Sequence, residues 1–106
     1  MKLGIVITTK EPEKAWNAMR LANFALRAGD EVKVFLMGEG VEAPEVEESK
    51  FNVKKEMEKF LEDGGKILAC GTCLKLRQKD SSELCPLSTL EDFYRLVLLS
   101  EKVLTF

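Results

Sequence analysis

The sequence contains no histidine among its 106 residues. This absence excludes catalytic pairs in which an imidazole activates a cysteine or a serine, and it removes the most common metal ligand of proteins. Proton transfer and nucleophilic chemistry must therefore come from other side chains, such as thiols, carboxylates and amines.

Cysteine is scarce, with three residues at positions Cys70, Cys73 and Cys85. An odd number of cysteines without a framework spacing does not indicate a disulfide scaffold, and free thiols in a reducing compartment fit the pattern better. Nucleotide-binding signatures are missing as well, because neither segment 38–40 nor segment 64–65 continues into a phosphate-loop or dinucleotide-binding pattern. We therefore expect no bound cofactor.

Long apolar runs and long basic runs are both missing. No segment reaches the ~18 apolar residues that a membrane-spanning helix needs, and the apolar segment 1–7 is too short for a signal peptide. Lysine and arginine number 16 against 18 aspartates and glutamates, for a net charge of −2, which argues against nucleic acid as a partner. We expect one domain over residues 1–106 that is soluble and cytoplasmic and contacts no membrane.

What the sequence does contain is a regular alternation of apolar runs and amphipathic segments. The runs typical of buried or edge strands lie at 3–8, 31–37, 66–69, 84–87 and 102–106. The segments with helical periodicity lie at 13–28, 53–62, 74–79 and from residue 88 onward. This alternation predicts an α/β fold, a three-layer α/β/α arrangement around a mostly parallel five-stranded sheet.

Two local patterns give more detailed predictions. Ser88 has Glu91 three residues later, which is the spacing of a capping box at the start of the fourth helix. The predicted buried stripe of that helix consists of Leu90, Phe93, Tyr94 and Val97. Segment 39–49 carries five glutamates around one proline, and this composition predicts a mobile, solvated loop.

Cys70 and Cys73 lie where the third predicted strand passes into the third helix. Ligand sites of parallel sheets lie outside the carboxyl ends of the strands, so Cys70 is the candidate catalytic thiol and Cys73 the candidate second thiol. The first turn of a helix presents unpaired N–H groups that favour a thiolate, and Lys75, Arg77 and Lys79 add positive charge nearby. We therefore expect the pKa of Cys70 to be lowered.

The sequence also resembles the DsrE-like family of small sulfur-relay proteins along its whole length. The resemblance is carried by the first strand with its alanine-rich helix, by the Gly-x-Gly-Val exit of the second strand at 38–41, and by the C-terminal passage 100–106. In segment 69–77, Cys70 and Arg77 occupy the positions of the family's persulfide-bearing cysteine and of a downstream arginine.

This resemblance implies a DsrE-like fold and a homotrimer or homohexamer. It also implies a sulfurtransferase-like carrier, in which Cys70 accepts sulfane sulfur from a donor protein as a persulfide and passes it to an acceptor protein. Many relatives lack a thiol at the position of Cys73. A second thiol here would be able to resolve the persulfide as an internal disulfide.

Two other functions are compatible with the thiols. A thiol-disulfide oxidoreductase would cycle Cys70 and Cys73 through a disulfide, although such a pair usually follows an early strand rather than one two thirds along the chain. A non-catalytic oligomeric binding module would use both thiols with Cys85 for metal or partner docking. Closed zinc sites need four ligands, so we predict no metal site.

Overall fold

A computed structural model of the protein describes residues 1–80, 82 and 86–106. Its strands are β1 (Lys2–Ile7), β2 (Glu31–Leu36), β3 (Lys66–Cys70), β4 (Leu87–Ser88) and β5 (Lys102–Thr105). Its α-helices are α1 (Pro12–Arg27), α2 (Val53–Glu62), α3 (Gly71–Leu76) and α4 (Leu90–Leu99). A 3₁₀ helix, Gly38–Glu45, lies between β2 and α2 and is called the 3₁₀ segment below.

The predicted α/β fold is confirmed. Across the described residues, five strands form one sheet in the order β4-β3-β2-β1-β5, and every neighbouring pair of these strands is parallel. The sheet is therefore parallel throughout this part of the chain, where the sequence predicted a mostly parallel one. The carboxyl ends of β1, β2, β3 and β4 consequently lie along one edge of the sheet.

The sheet separates two apolar layers. Ile5, Val34 and Leu36 are fully buried in a core that α1 and α2 complete on one face. On the opposite face the ring of Phe35 packs edge-on against Phe93 of α4, with ring centroids 4.8 Å apart. Because successive strand residues alternate between faces, the continuous apolar runs of the sequence supply both layers.

Helix α4 is much less buried than the sequence predicted. Leu96 is buried and Phe93 contacts the sheet, but Leu90, Tyr94 and Val97 of the predicted buried stripe are 72%, 63% and 44% exposed. Among the described residues a single helix covers this face of the sheet, and only one side of that helix can contact the strands. The prediction of a buried stripe is therefore wrong for the isolated chain.

The capping box of α4 is formed by Thr89 and Asp92 rather than by Ser88 and Glu91. Thr89 Oγ1 accepts a hydrogen bond from the N–H of Asp92 at 3.2 Å, and Asp92 Oδ2 accepts one from the N–H of Thr89 at 3.3 Å. Ser88 cannot cap the helix because it belongs to β4, where it pairs with Cys70. The predicted cap was wrong by one residue.

The glutamate-rich segment is not the mobile, solvated loop that its composition predicted. Most of it is the 3₁₀ segment, in which Val41, Ala43 and Pro44 are buried between the glutamates. Gly40 brings this segment against the end of β1, since a Cβ at this position would lie 1.8 Å from the carbonyl oxygen of Ile7. The prediction failed because the small apolar side chains, not the charges, decide where the segment packs.

Boundaries near the cysteines also differ from the predictions. Helix α3 begins at Gly71 and ends at Leu76, earlier than the predicted segment 74–79. Of the predicted edge strand 84–87, residues 84 and 85 lie outside the described residues, and β4 begins at Leu87. None of the helices in the described ranges combines the length and apolarity of a membrane span.

We expect Gly40→Ala to lower the free energy of unfolding by about 3 kcal/mol, because the new methyl group would overlap the backbone of β1. Urea denaturation followed by circular dichroism measures this loss. Gly29→Ala is the matched control, since Gly29 has φ +99° but nothing within 4 Å of an added Cβ, and its cost should be about 1 kcal/mol. Equal losses for the two variants would contradict the steric argument.

Candidate functional site

Cys70 lies at the carboxyl edge of the sheet, as the sequence predicted. It is the last residue of β3 and the N-terminal cap of α3. Its sulfur accepts a hydrogen bond from the N–H of Cys73 at 3.4 Å, and its side chain is half-buried against the apolar core. The thiol is thus held at the point where an extended strand turns into a helix.

Cys73 lies beside Cys70 but has a different hydrogen-bond donor. The N–H of Gly38, the first residue of the 3₁₀ segment, donates to Cys73 Sγ at 3.3 Å. Both Cys70 and Cys73 are free thiols. The exit of β2 therefore supplies a backbone donor to the site, a contribution that sequence reasoning missed.

The environment raises the pKa of the Cys70 thiol. Burial is the largest cause, because a thiolate loses solvation there, and a hydrogen bond with the Cys73 side chain adds to it by favouring the protonated form. Backbone N–H groups of Cys73 and Thr72 act in the opposite direction without outweighing burial. The predicted lowering is therefore wrong: α3 has six residues, and its first turn offers too little positive charge.

Arg77 was expected to favour a thiolate but is engaged by a carboxylate of the 3₁₀ segment. Its Nε lies 3.0 Å from Glu42 Oε2, and its Nη1 donates to the carbonyl oxygen of Cys73 at 3.2 Å. Lys10 Nζ lies 3.8 Å from the other oxygen of Glu42. The Arg77 hydrogen bond lowers the pKa of Glu42, so a stable anion faces this guanidinium.

The two predicted lysines do not add charge to the thiol either. Lys79 forms an ion pair with Glu45, and Lys75 is exposed on the short helix. Together with the pair between Arg77 and Glu42, these contacts join the end of α3 to the 3₁₀ segment. Arg77 and Lys79, rather than Lys75, thus link the two segments beside the site.

Ser88 is the neighbour of Cys70 on the adjoining strand, where the two residues are register partners. Its side chain is 4% exposed, and its hydroxyl donates a hydrogen bond to Asp92 Oδ2 at 2.7 Å. This hydrogen bond is the largest cause of a lowered pKa at Asp92, and the N–H of Thr89 adds to it. Sequence reasoning missed Ser88 as a site neighbour because its spacing to Glu91 resembled a helix cap.

Metal ligation was the other chemistry considered for the thiols. Within the described ranges no three His, Cys, Asp or Glu side chains are grouped so that they could hold a metal ion. Cys85, the third cysteine of the possible docking set, lies outside those ranges. The described arrangement therefore offers two thiols, backbone donors and a buried hydroxyl.

The architecture defines a class of small α/β proteins that carry a cysteine at the carboxyl edge of a parallel sheet. The sequence model of the DsrE/DsrF-like family matches residues 1–106. The chain belongs to this family, and the resemblance inferred from the sequence is confirmed. The family and its fold are known for sulfur relay.

Two archaeal relatives support the family assignment. An uncharacterized protein of Methanocaldococcus jannaschii is 33% identical, with 100% of each chain covered. An uncharacterized protein of Methanopyrus kandleri is 34% identical over 89% of this chain and 83% of its own.

Two solved structures share the fold. The ychN protein from E. coli matches with a TM-score of 0.83 at 24% identity over 100% of both chains. A conserved protein of unknown function from Bacteroides thetaiotaomicron matches with a TM-score of 0.79 at 19% identity over 99% of this chain and 94% of its own. At these identities the likeness concerns the fold alone.

The raised pKa predicts how alkylation of Cys70 depends on pH. Since the thiolate is the nucleophile, Cys70 should react with iodoacetamide more slowly at pH 7 than the same residue in the urea-unfolded chain, where the pKa is about 8.5. The midpoint of its pH profile should lie above that of the unfolded chain. Peptide-resolved mass spectrometry measures Cys70 separately from the other cysteines. A midpoint below the unfolded one would contradict the effect of burial.

Proposed function

We propose that the protein is a sulfur-relay protein that carries sulfane sulfur as a persulfide on Cys70. The observation that carries the proposal is the position of this thiol: half-buried at the carboxyl end of β3, with its sulfur accepting the N–H of Cys73. Membership of the DsrE/DsrF-like family supports the same chemistry. Cys70 is the proposed carrier residue, and Cys73 is the proposed second thiol.

Loading of the carrier is an exchange between a thiol and a persulfide. The Cys70 sulfur attacks the terminal sulfur of a donor persulfide, the sulfur–sulfur bond of the donor breaks, and the donor leaves as a thiol that takes the proton of Cys70. Unloading repeats this step, with an acceptor thiol attacking the terminal sulfur on Cys70. No external oxidant or reductant is consumed in either step.

The raised pKa of Cys70 has a consequence for this exchange. An ordinary cysteine is only a few per cent thiolate at pH 7, and Cys70 is less ionised still. The resting protein therefore presents a thiol that reacts slowly with small electrophiles. We infer that a docked donor protein completes the site, because its leaving sulfur is the group that accepts the proton.

Cys73 supports a second candidate function, thiol-disulfide exchange. The hydrogen bond between the two thiols brings their sulfurs close together. Attack of Cys73 on the inner sulfur of the Cys70 persulfide would form a disulfide between the two residues and release hydrogen sulfide. An external dithiol would then have to reduce the disulfide before the next cycle.

Mass spectrometry of the intact protein after exposure to a sulfane-sulfur donor tests the relay. We expect the wild type to gain the mass of one sulfur atom, Cys70→Ser to gain none, and Cys73→Ser to gain and retain it. Peptide mapping should locate the added sulfur on Cys70. Loading that survives in Cys70→Ser would overturn the assignment of the carrier residue.

The same variants distinguish the two candidate functions. If Cys73 resolves the persulfide, the wild type should lose its added sulfur and gain a disulfide between Cys70 and Cys73, whereas Cys73→Ser should stay loaded. An oxidoreductase would also reduce insulin with both thiols present. Sulfur that stays on wild-type Cys70, without insulin reduction, supports carriage alone.

The chemistry of the site also bears on which partners donate and accept the sulfur. Donor and acceptor are proposed to be proteins, because a half-buried thiol is reached most selectively by a partner that docks against the carboxyl edge.

Cys70 and Cys73 are free thiols, which supports a reducing compartment, and we propose the cytoplasm. Single-domain organisation over residues 1–106 remains part of the same proposal.

We further propose that the protein is a homotrimer or homohexamer assembled through the outer side of α4. Leu90, Tyr94 and Leu98 are 72%, 63% and 65% exposed, and they follow one another at helical spacing. Leu90 and Tyr94, together with Phe93 and Val97, line an open apolar groove of about 620 Å³. A stripe of this kind indicates an interface, since monomers rarely expose it. Copies of the same chain are the occupants that the family resemblance implies.

Replacing two residues of this stripe should disrupt the assembly. In Tyr94→Glu/Leu98→Glu, each new carboxylate would have to be buried without a partner, so we expect monomers by size-exclusion chromatography with light scattering. Phe24→Glu is the matched control, because Phe24 is 69% exposed on α1, and it should keep the native mass. A monomeric wild type, or dissociation of both variants, would contradict the assigned surface.

A further inference from the structure

The hydrogen bond between the sulfurs of Cys70 and Cys73 has a direction. It favours the protonated form of Cys70, so Cys70 is the donor and the Cys73 sulfur is the acceptor. The Cys70 sulfur in turn accepts the backbone N–H of Cys73 at 3.4 Å. The single S–H hydrogen of Cys70 is therefore committed to Cys73.

The Cys73 sulfur accepts a second hydrogen bond from a different segment. The N–H of Gly38, the first residue of the 3₁₀ segment, donates to Cys73 Sγ at 3.3 Å. Hydrogen bonds become stronger when the acceptor is ionised. Two donors directed at one sulfur thus favour a negative charge on it.

The first ionisation of the pair leaves one proton for two sulfurs. Because the sulfurs share a hydrogen bond, they lose their protons as a pair rather than independently. Burial favours the protonated form of Cys70, and the shared hydrogen already lies on Cys70. The charge of the singly ionised pair therefore lies on Cys73, and the ionised sulfur is the nucleophile.

The charged side chains on α3 and on the elements packed against it do not reverse this order. Those of α3, β3 and the 3₁₀ segment, with Lys79 just beyond α3, are paired, exposed or at the far end of β3. They are Arg77 paired with Glu42, Lys79 paired with Glu45, the exposed Glu39 and Lys75, and Lys66 at the start of β3. The donors from Gly38 and Cys70 are thus the interactions that set Cys73 apart.

We propose that Cys73 is the nucleophilic sulfur of the resting pair, and that a hydroperoxide oxidises it first, after which Cys70 closes a disulfide with it. Both residues are half-buried rather than sealed in the core. The order of attack is independent of sulfur relay. Its consequence rests on the proposed relay role of Cys70, because a disulfide at Cys70 leaves no thiol there to accept sulfane sulfur.

The oxidation proceeds in two steps. The Cys73 thiolate attacks one peroxide oxygen, the O–O bond breaks, and Cys73 becomes a sulfenic acid while the leaving oxygen takes a proton from solvent. The Cys70 sulfur then attacks the Cys73 sulfur, the S–O bond breaks, and water leaves with the proton of Cys70. The hydroperoxide is the oxidant, and it is reduced by two electrons to an alcohol or to water.

Limited alkylation by iodoacetamide at pH 7 measures which sulfur attacks first. In the wild type we expect Cys73 to react about three- to tenfold faster than Cys70. Both residues lie in the tryptic peptide 67–75, so fragment ions in mass spectrometry assign the label. Cys70→Ala removes the S–H donor and should slow Cys73, whereas the matched variant Cys70→Ser keeps a donor and should preserve its rate. A Cys70 rate equal to or above that of Cys73, or an unchanged Cys73 rate in Cys70→Ala, would overturn the proposal.

Treatment with hydrogen peroxide tests the disulfide. The wild type should lose two hydrogens from peptide 67–75, which distinguishes this disulfide from one that includes Cys85. A dimedone trap for sulfenic acid should label Cys73 of Cys70→Ser faster than it labels Cys70 of Cys73→Ser. The opposite order of labelling, or a wild type that forms no disulfide between the two residues, would reject the proposal.

Sulfur loading is scored separately on the oxidised wild type and on the same protein after reduction by a dithiol. We expect loading only after reduction, and loading of the oxidised protein would contradict the closure of the carrier. If neither form loads, the relay is rejected while the alkylation and peroxide results still decide the order of attack.

Discussion

The parallel pairing of β3 with its two neighbours is the constraint on which the candidate site depends. Because the strands run in one direction, the residues that follow them meet at one edge of the sheet. The N–H of Gly38 comes from the exit of β2, the thiols from the exit of β3, and Ser88 from the end of β4. A reversal of any of these strands would move its contribution to the opposite edge.

Burial and the N-terminus of α3 shift the pKa of the Cys70 thiol in opposite directions, and burial has the larger effect. A helix end stabilises a nearby charge by about 0.3 to 1 kcal/mol, and the loss of solvation of the thiolate outweighs that contribution at Cys70. The six-residue α3 has few aligned peptide dipoles to add to that charge. Arg77 and Lys79 are paired with Glu42 and Glu45, respectively. This environment favours the protonated thiol, in keeping with the proposal that a docked partner completes the site.

The two faces of the sheet differ in how completely helices cover them, and this difference bears on the proposed assembly. Helices α1 and α2 complete a closed core on one face, where Met19, Met57 and Phe60 are fully buried. On the other face the described part of the chain places only α4, whose outer side is apolar and exposed. The same helix carries Asp92 at its N-terminal end, against Ser88. The proposed interface on α4 would therefore lie on the helix that contacts the register partner of Cys70.

The sequence by itself determined the order of strands and helices, the α/β class and the position of Cys70 at a strand end. Apolar periodicity and the glycines that end strands and helices are local properties of the chain. Only the tertiary structure decided the environment of that thiol. Contacts between residues distant in sequence raise its pKa. Such contacts also pair Arg77 with Glu42 and place Ser88 beside Cys70 on the neighbouring strand. The segment 39–49 shows the same limit: its charges predicted a solvated loop, whereas the close approach of Gly40 to Ile7 made it packed structure. Such contacts depend on which surfaces meet after folding, and no local pattern encodes that.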